Sequence, residues 1–261
     1  MLVLLSPAKS LDLTSDYPDV QTTKPRLLDR SNELVELLVA KSPAELAKTL
    51  GVSEQLATTA AGYYQDFTTP FINKDNARPA IFTFNGDVYQ GFDAASIDKD
   101  NLDYAQRVVR SLSGLYGVLR PLDLIQPYRL DMGTKLQTER GKDLYEFWGA
   151  EPTELINKDT ADSPGEKVVI NLVSNEYFEA IKVDQLENPL VNVRFEEIRE
   201  GGARKVISFH AKKARGLMAR WIVDEHIEKS DDLVGFDVEG YGYDDEASTD
   251  EQLVFVRDGR K

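Results

Sequence analysis

Apolar residues recur along this chain in two rhythms, and the switches between them outline most of its expected elements. Leu2 to Leu5 is an unbroken apolar run, as in a strand buried on both faces. Val168 to Leu172 reads the same way, and Ala80 to Phe84 and Leu253 to Val256 are further short strands. Helical spacing governs Asn32 to Ala40, where Leu34, Leu37 and Leu38 share one side, then Leu102 to Ser111 and Asp143 to Leu155. Ser42-Pro43-Ala44-Glu45 joins a capping box to a proline at the first helical position. Gly51 is the matching stop, Ser53 caps the next helix toward Phe67, and Ser174 is placed to cap a helix after the Val168–Leu172 strand. Glu200-Gly201-Gly202-Ala203, between Leu190–Ile198 and Arg204–Phe209, is a hairpin signal. From Ala211 onward Ala214, Leu217, Met218, Trp221 and Ile222 mark a long helix. Interleaved helices and strands with one hairpin predict a mixed α/β (α+β) fold, a single domain over 1–261 with a mixed sheet flanked by helices.

One segment admits two readings. Leu112-Ser113-Gly114-Leu115-Tyr116-Gly117-Val118-Leu119-Arg120-Pro121 fits a strand from Leu112 to Val118 that turns at Arg120-Pro121, its glycines permitting close backbone approach. It also fits loosely a helix-hairpin-helix, whose turn offers backbone N–H groups to a phosphate while Arg120 adds charge. The strand is the favoured reading.

Charge changes the picture most around residue 210. In Ser208-Phe209-His210-Ala211-Lys212-Lys213-Ala214-Arg215-Gly216, three cations crowd the expected start of a helix, where the backbone already carries partial positive charge. A bound anion would offset the repulsion, so Lys212, Lys213 and Arg215, with His210, form a candidate anion site. On a helical wheel Lys212 and Arg215 are the better candidates. Four expected strand ends run into polar, turn-forming clusters: Ser6 to Ser10, Asn85 to Tyr89, Asn171 to Glu176, and the segment at His210. On one sheet edge they would line a shared cleft with Ser6, Lys9, Asn85, Asp87, Tyr89, Asn171 and Glu176. Arg120 and Arg129 are further phosphate-contact candidates, although Arg129 is also spaced to pair with Asp131.

Composition narrows the chemistry. The net charge is −14, but twelve acids against Lys229 give the segment 224–251 about −11, which leaves the remainder close to neutral. A basic face elsewhere is therefore compatible with an acidic chain. There are no cysteines and only two histidines, which removes thiolate metal sites, disulfides and cysteine nucleophiles. No metal and no cofactor is expected, and no catalytic residue is assigned. No apolar run is long enough for a membrane span, and no signal segment opens the chain, so a cytoplasmic address is expected.

The same motifs carry a resemblance. Ser6-Pro7-Ala8-Lys9, Asn85-Gly86-Asp87-Val88-Tyr89, Leu112 to Leu122, Pro127-Tyr128-Arg129-Leu130, Asn171 to Phe178 and Ser208 to Gly216 together resemble the YaaA peroxide-stress family over essentially the full length. The resemblance implies a cytosolic protein that limits damage from hydrogen peroxide and free iron. It also implies a mixed α/β fold with a positively charged cleft, duplex-DNA binding and a helix-hairpin-helix element. The alternative is an enzyme acting on a small phosphorylated or nucleotide-like substrate in the same cleft, with Lys9, Asp87, Glu176 and His210 as acid–base candidates. Iron held by scattered surface carboxylates is the weakest reading, because such acids do not make a coordination sphere.

Overall fold

Strand β1 (Leu2–Leu5) is fully buried, as a continuous apolar run at the centre of a parallel sheet must be. A computed structural model describes residues 1–260. After β1 come three helices, α1 (Leu28–Val39), α2 (Pro43–Leu50) and α3 (Glu54–Gln65). The short β2 (Arg78–Pro79) then leads into α4 (Ala80–Thr83), α5 (Asp87–Phe92) and α6 (Lys99–Val108). The next group is β3 (Val109–Ser113), β4 (Gly117–Leu119), β5 (Leu124–Ile125), α7 (Leu144–Trp148) and α8 (Glu151–Asp162). The chain closes with β6 (Val169–Leu172), α9 (Asn175–Phe178), β7 (Leu190–Ile198), β8 (Arg204–Lys205), α10 (Ser208–Asp224), β9 (Gly242–Tyr243) and β10 (Gln252–Asp258).

The main sheet runs β4-β3-β1-β6-β7-β10-β9, with β8 also paired to β7. Strands β3, β1, β6, β7 and β10 are mutually parallel, while β4 and β9 close the two edges antiparallel. This is the expected mixed α/β architecture: a central mixed sheet flanked by helices around one hydrophobic core. The chain leaves β1 for β3 on one side and later returns to β6 on the other. The carboxyl ends of β1 and β6 therefore flank a topological switch point, where α/β sheets open a crevice.

Several local expectations change in three dimensions. Ala80–Phe84 is not a strand. Thr83 Oγ1 donates back to Pro79 O at 2.8 Å and Phe84 N to Ala80 O at 3.0 Å, which winds the run into α4. The helix expected from Leu102 to Ser111 stops at Val108, because Val109 to Ser111 are drawn into register beside Val3 to Leu5. Gly149, at φ 54°, divides the expected Asp143–Leu155 helix into α7 and α8. The run expected as strand up to Phe209 yields only β8 before α10 begins at Ser208.

The Leu112–Arg120 segment is not a helix-hairpin-helix. It is a β-hairpin in which Ser111, Leu112 and Ser113 pair with Leu119, Val118 and Gly117. The chain reverses through Gly114–Tyr116, earlier than the expected turn at Arg120-Pro121. Gly114 is required there, since a Cβ would lie 2.2 Å from Leu130 O. Two helices joined by a tight turn do occur elsewhere, at α2 and α3. Ser42 N donates to Glu45 Oε2 at 2.8 Å while Ser42 Oγ accepts from Glu45 N, which is the capping box in place. Gly51 ends α2 at φ 63°, and Ser53 Oγ accepts from Leu56 N to start α3. Among the described residues no helix is long and apolar enough to cross a membrane.

Candidate functional site

The two strand ends at the switch point are tied to each other. Ser174 N, just past β6, donates to Ser6 Oγ, just past β1, at 2.9 Å. Below them Asn171 Nδ2 donates to Asn192 Oδ1 at 2.8 Å, and Asn171 Oδ1 accepts from Val173 N at 3.0 Å. These bonds hold the rim of a cleft of about 1030 Å³. Its walls are the Ser6–Ser10 and Val173–Tyr177 loops, the start of α5, residues Asn192–Phe195 of β7 and one face of α10.

That helix face is Ser208, Ala211, Lys212 and Arg215, the i, i+3, i+4, i+7 positions that share a side. Because α10 begins at Ser208, the three cations lie in its second turn. The repulsion expected at a helix start is therefore weaker than the sequence suggests, as the macrodipole acts mainly on the first turn. What marks Arg215 instead is desolvation. Its Nε is buried with no hydrogen-bond partner, and burial alone pushes its pKa down from 12.5. Neither Arg215 nor Lys212 makes an ion pair among the described residues.

The charged residues lining the cleft are Lys9, Arg194, Lys212 and Arg215 against Asp87 and Glu176. Lys9 Nζ sits 2.6 Å from Asp131 Oδ2, with the Tyr177 hydroxyl on the other carboxylate oxygen at 3.4 Å. Asp131 is thus the partner of Lys9, and the expected Arg129–Asp131 pair does not form. Arg129 Nη1 reaches Lys9 O at 3.4 Å. Arg194 is held by Glu196 at 2.6 Å. Glu176 Oε1 accepts from Gly133 N at 3.2 Å.

Of the residues named from the sequence, Ser6, Lys9, Asp87, Asn171, Glu176, Lys212 and Arg215 share this cleft. Six stand elsewhere. Asn85 donates its backbone N–H to Ser10 O at 2.9 Å, behind the rim. Tyr89 is buried, its hydroxyl 2.7 Å from Ser111 Oγ, and desolvation raises its pKa far above 10. Arg120 is engaged by the buried Asp123 at 2.8 Å, and Arg129 lies beside the cleft without lining it. His210 and Lys213 project from the other side of α10. His210 Nδ1 is 2.6 Å from Glu197 Oε1, and Lys213 Nζ is 2.5 Å from Glu239 Oε1. His210, Glu197 and Glu239 belong with Arg257 to a separate hollow of about 420 Å³. Lys9 and His210 therefore cannot act on one reacting atom.

Sequence reasoning missed Ser174, Asn192, Arg194 and the β7 backbone. The hairpin signal placed β7, but only sheet order shows that β7 runs on past the end of β6. Among the described residues no group of three His, Asp or Glu is placed to hold a metal ion.

Comparison with known proteins shows the family. Residues 1–247 match the family model described as peroxide stress protein YaaA. A UPF0246 protein of Idiomarina loihiensis is 49% identical over the whole of both chains. One from Alteromonas mediterranea is 49% identical over 98% of each chain. One from Hahella chejuensis is 47% identical over 99% of this chain and all of its own.

Proposed function

The chain belongs to the family of the peroxide stress protein YaaA, and from that premise we propose that it serves the response to peroxide stress by holding a phosphate-bearing, nucleotide-sized ligand in the switch-point cleft. In this reading it acts in the cytoplasm and limits damage from peroxide and free iron through what it binds. The observation that carries the reading is Arg215, a desolvated guanidinium with a buried Nε and no counter-charge among the described residues. An unpaired, largely buried cation is costly, and an anion beside it removes most of that cost. Lys212, three residues earlier on the same helix face, adds a second charge without an ion pair among the described residues. The cleft volume sits at the upper end of the ~300–1,000 Å³ typical of small-molecule sites. A duplex about 20 Å across does not enter such a space whole.

Arg215→Met tests the assignment, with Lys213→Met as the control because Glu239 already neutralises Lys213 outside the cleft. Titration of inorganic pyrophosphate at low salt should show at least tenfold weaker binding for the Arg215 variant, about 1.4 kcal/mol. The Lys213 variant should match the wild type. No wild-type binding, or equal losses in both variants, would remove the proposal.

Duplex DNA is the second reading, and the observation favouring it is the α2–Gly51–α3 hairpin, which supplies two capped helices joined by a tight turn. Phosphate contacts from the turn and from Lys9, Arg129, Lys212 and Arg215 would bind largely without regard to sequence. Filter binding across a salt series should then give log K falling linearly with log salt. A flat line, or no retention at ~50 mM salt, argues against it. If the cleft also performs chemistry, Asp87, Glu176 and Lys9 are the acid–base groups within it, whereas His210 faces the neighbouring hollow.

A further inference from the structure

The cleft reaches a notch in the main sheet, where buried residues of β7 lack a strand partner on one edge. Strand β7 is paired from Asn192 to Ile198 with β10 on one edge. Its other edge is shared. β6 covers Leu190 to Asn192, and β8 covers Glu197 and Ile198. Between them Val193 to Glu196 have no neighbouring strand on that side, and Val193, Arg194 and Phe195 line the cleft.

Register decides which groups face the gap. Asn192 N donates to Glu251 O at 2.9 Å, so the N–H and C=O of Asn192 point toward β10. In a parallel ladder the direction alternates residue by residue. The backbone groups of Arg194 and Glu196 also turn to β10, and those of Val193 and Phe195 turn to the gap. The Val193 N–H is taken by the carbonyl of Asn171, as the Asn171↔Asn192 register requires. The group that would continue the ladder to Val193 C=O is Val173 N, and it is diverted to Asn171 Oδ1 at 3.0 Å. At the far end β8 stops at Lys205, and Ile207 spends its carbonyl on Ala211 N inside α10 at 2.8 Å. Three backbone groups are left facing the cleft in sequence: Val193 C=O, Phe195 N–H and Phe195 C=O. They span about 7 Å of strand.

Acceptor, donor, acceptor is a code. We propose that this β7 edge reads a nucleobase whose edge runs donor, acceptor, donor or hydrogen, which is adenine: N6–H to Val193 C=O, N1 from Phe195 N–H, and C2–H toward Phe195 C=O. The inference rests on the phosphate reading above and names its ligand class, an adenine nucleotide with its phosphate on Arg215 and Lys212. Guanine and hypoxanthine present a carbonyl where Val193 needs a donor and an N–H where Phe195 already donates. Uracil and thymine mismatch in the same way. The notch is closed by Val173 at one end and Lys205 at the other, so an extended peptide cannot run along it as an added strand, whereas a base inserts edge-on. Val206 and Val173 supply apolar surface beside the inserted ring. Unpaired backbone groups reject the wrong edge because mismatched polar groups would be left desolvated together.

A free nucleotide and an adenine extruded from a strand present the same edge. Calorimetric titration of the full chain with AMP, IMP, 2,6-diaminopurine ribonucleoside monophosphate, ribose 5-phosphate, adenosine, inosine and a short oligodeoxyadenylate separates the cases. AMP should bind at least tenfold more tightly than IMP, with the diaminopurine nucleotide equal to or tighter than AMP. Equal affinities for AMP and IMP, or ribose 5-phosphate matching AMP, would overturn base reading while leaving phosphate binding in place. Adenosine binding well above inosine with no gain from the phosphate would keep the base reading and remove the phosphate one. Oligodeoxyadenylate binding without AMP binding assigns the base to a strand, and the converse assigns it to a free nucleotide. Absence of binding by every probe overturns both.

Discussion

Replacing Asp159 with alanine should destabilise the protein by about 3–5 kcal/mol, the usual cost of stranding a buried charge. Asp159 is almost wholly buried on α8 and binds two arginines from different parts of the chain. Arg26, in the segment before α1, grips it at 2.6 and 2.7 Å, and Arg110 of β3 donates from Nε at 2.5 Å. Arg110 is itself buried, and burial pushes its pKa down. Without Asp159 that guanidinium keeps, among the described residues, hydrogen bonds to the carbonyls of Gln106 and Val109 and the field of Asp123. Urea unfolding measures the loss, and a change under about 1 kcal/mol would show that the triad is not a structural staple. Acid provides a second readout. Desolvation raises the pKa of Asp159, but its bonds to Arg26 and Arg110 outweigh this and hold it below 3.8. A depressed folded-state pKa contributes stability that is present above the ordinary carboxylate range and lost as pH falls through the folded value. Asp159→Asn should therefore flatten the acid limb of the stability profile below about pH 4.

Gly216→Ala should strike stability and ligand binding together. A Cβ at Gly216 would lie 1.7 Å from Val88 O, and one at Gly91 would lie 2.2 Å from Lys213 O. Helices α5 and α10 thus meet backbone to backbone at two glycines. The clash is with main chain, so no rotamer relieves it, and the helices must separate. Overpacking of this kind costs on the order of 3 kcal/mol, at the top of its usual range. Separation also moves Asp87, at the start of α5, away from Lys212 and Arg215 on the facing helix. Pyrophosphate affinity should fall even though residue 216 does not line the cleft. An unchanged urea midpoint would refute the close-contact account.

Both effects show why the sequence was legible only in part. The capping box at Ser42, the stop at Gly51 and the buried run of β1 are local devices, and each appears as read. Ala80 to Phe84 reads as a strand yet winds into α4, because so short a run has no period to measure. β3 was absorbed into the preceding helix because no glycine or proline separates Val108 from Val109, and only pairing with β1 makes Val109 extended. At the site, residue type suggested cations, but not which were already spent. Lys213 and Arg120 are neutralised by Glu239 and Asp123, distant or buried partners that composition does not reveal.

By itself, then, the sequence determined the fold class, the polar clusters that end β1 and β6 and the cation-rich helix, since these follow from spacing and short-range chemistry. The tertiary structure decided everything that depends on direction. It put Ser6, Asn171 and Arg215 around one cleft and sent His210 to the opposite side of α10. It ended β6 while β7 ran on, leaving Val193 to Glu196 without a strand partner on that edge. Backbone groups are the same in every residue, so which of them are free is set by sheet order and register alone.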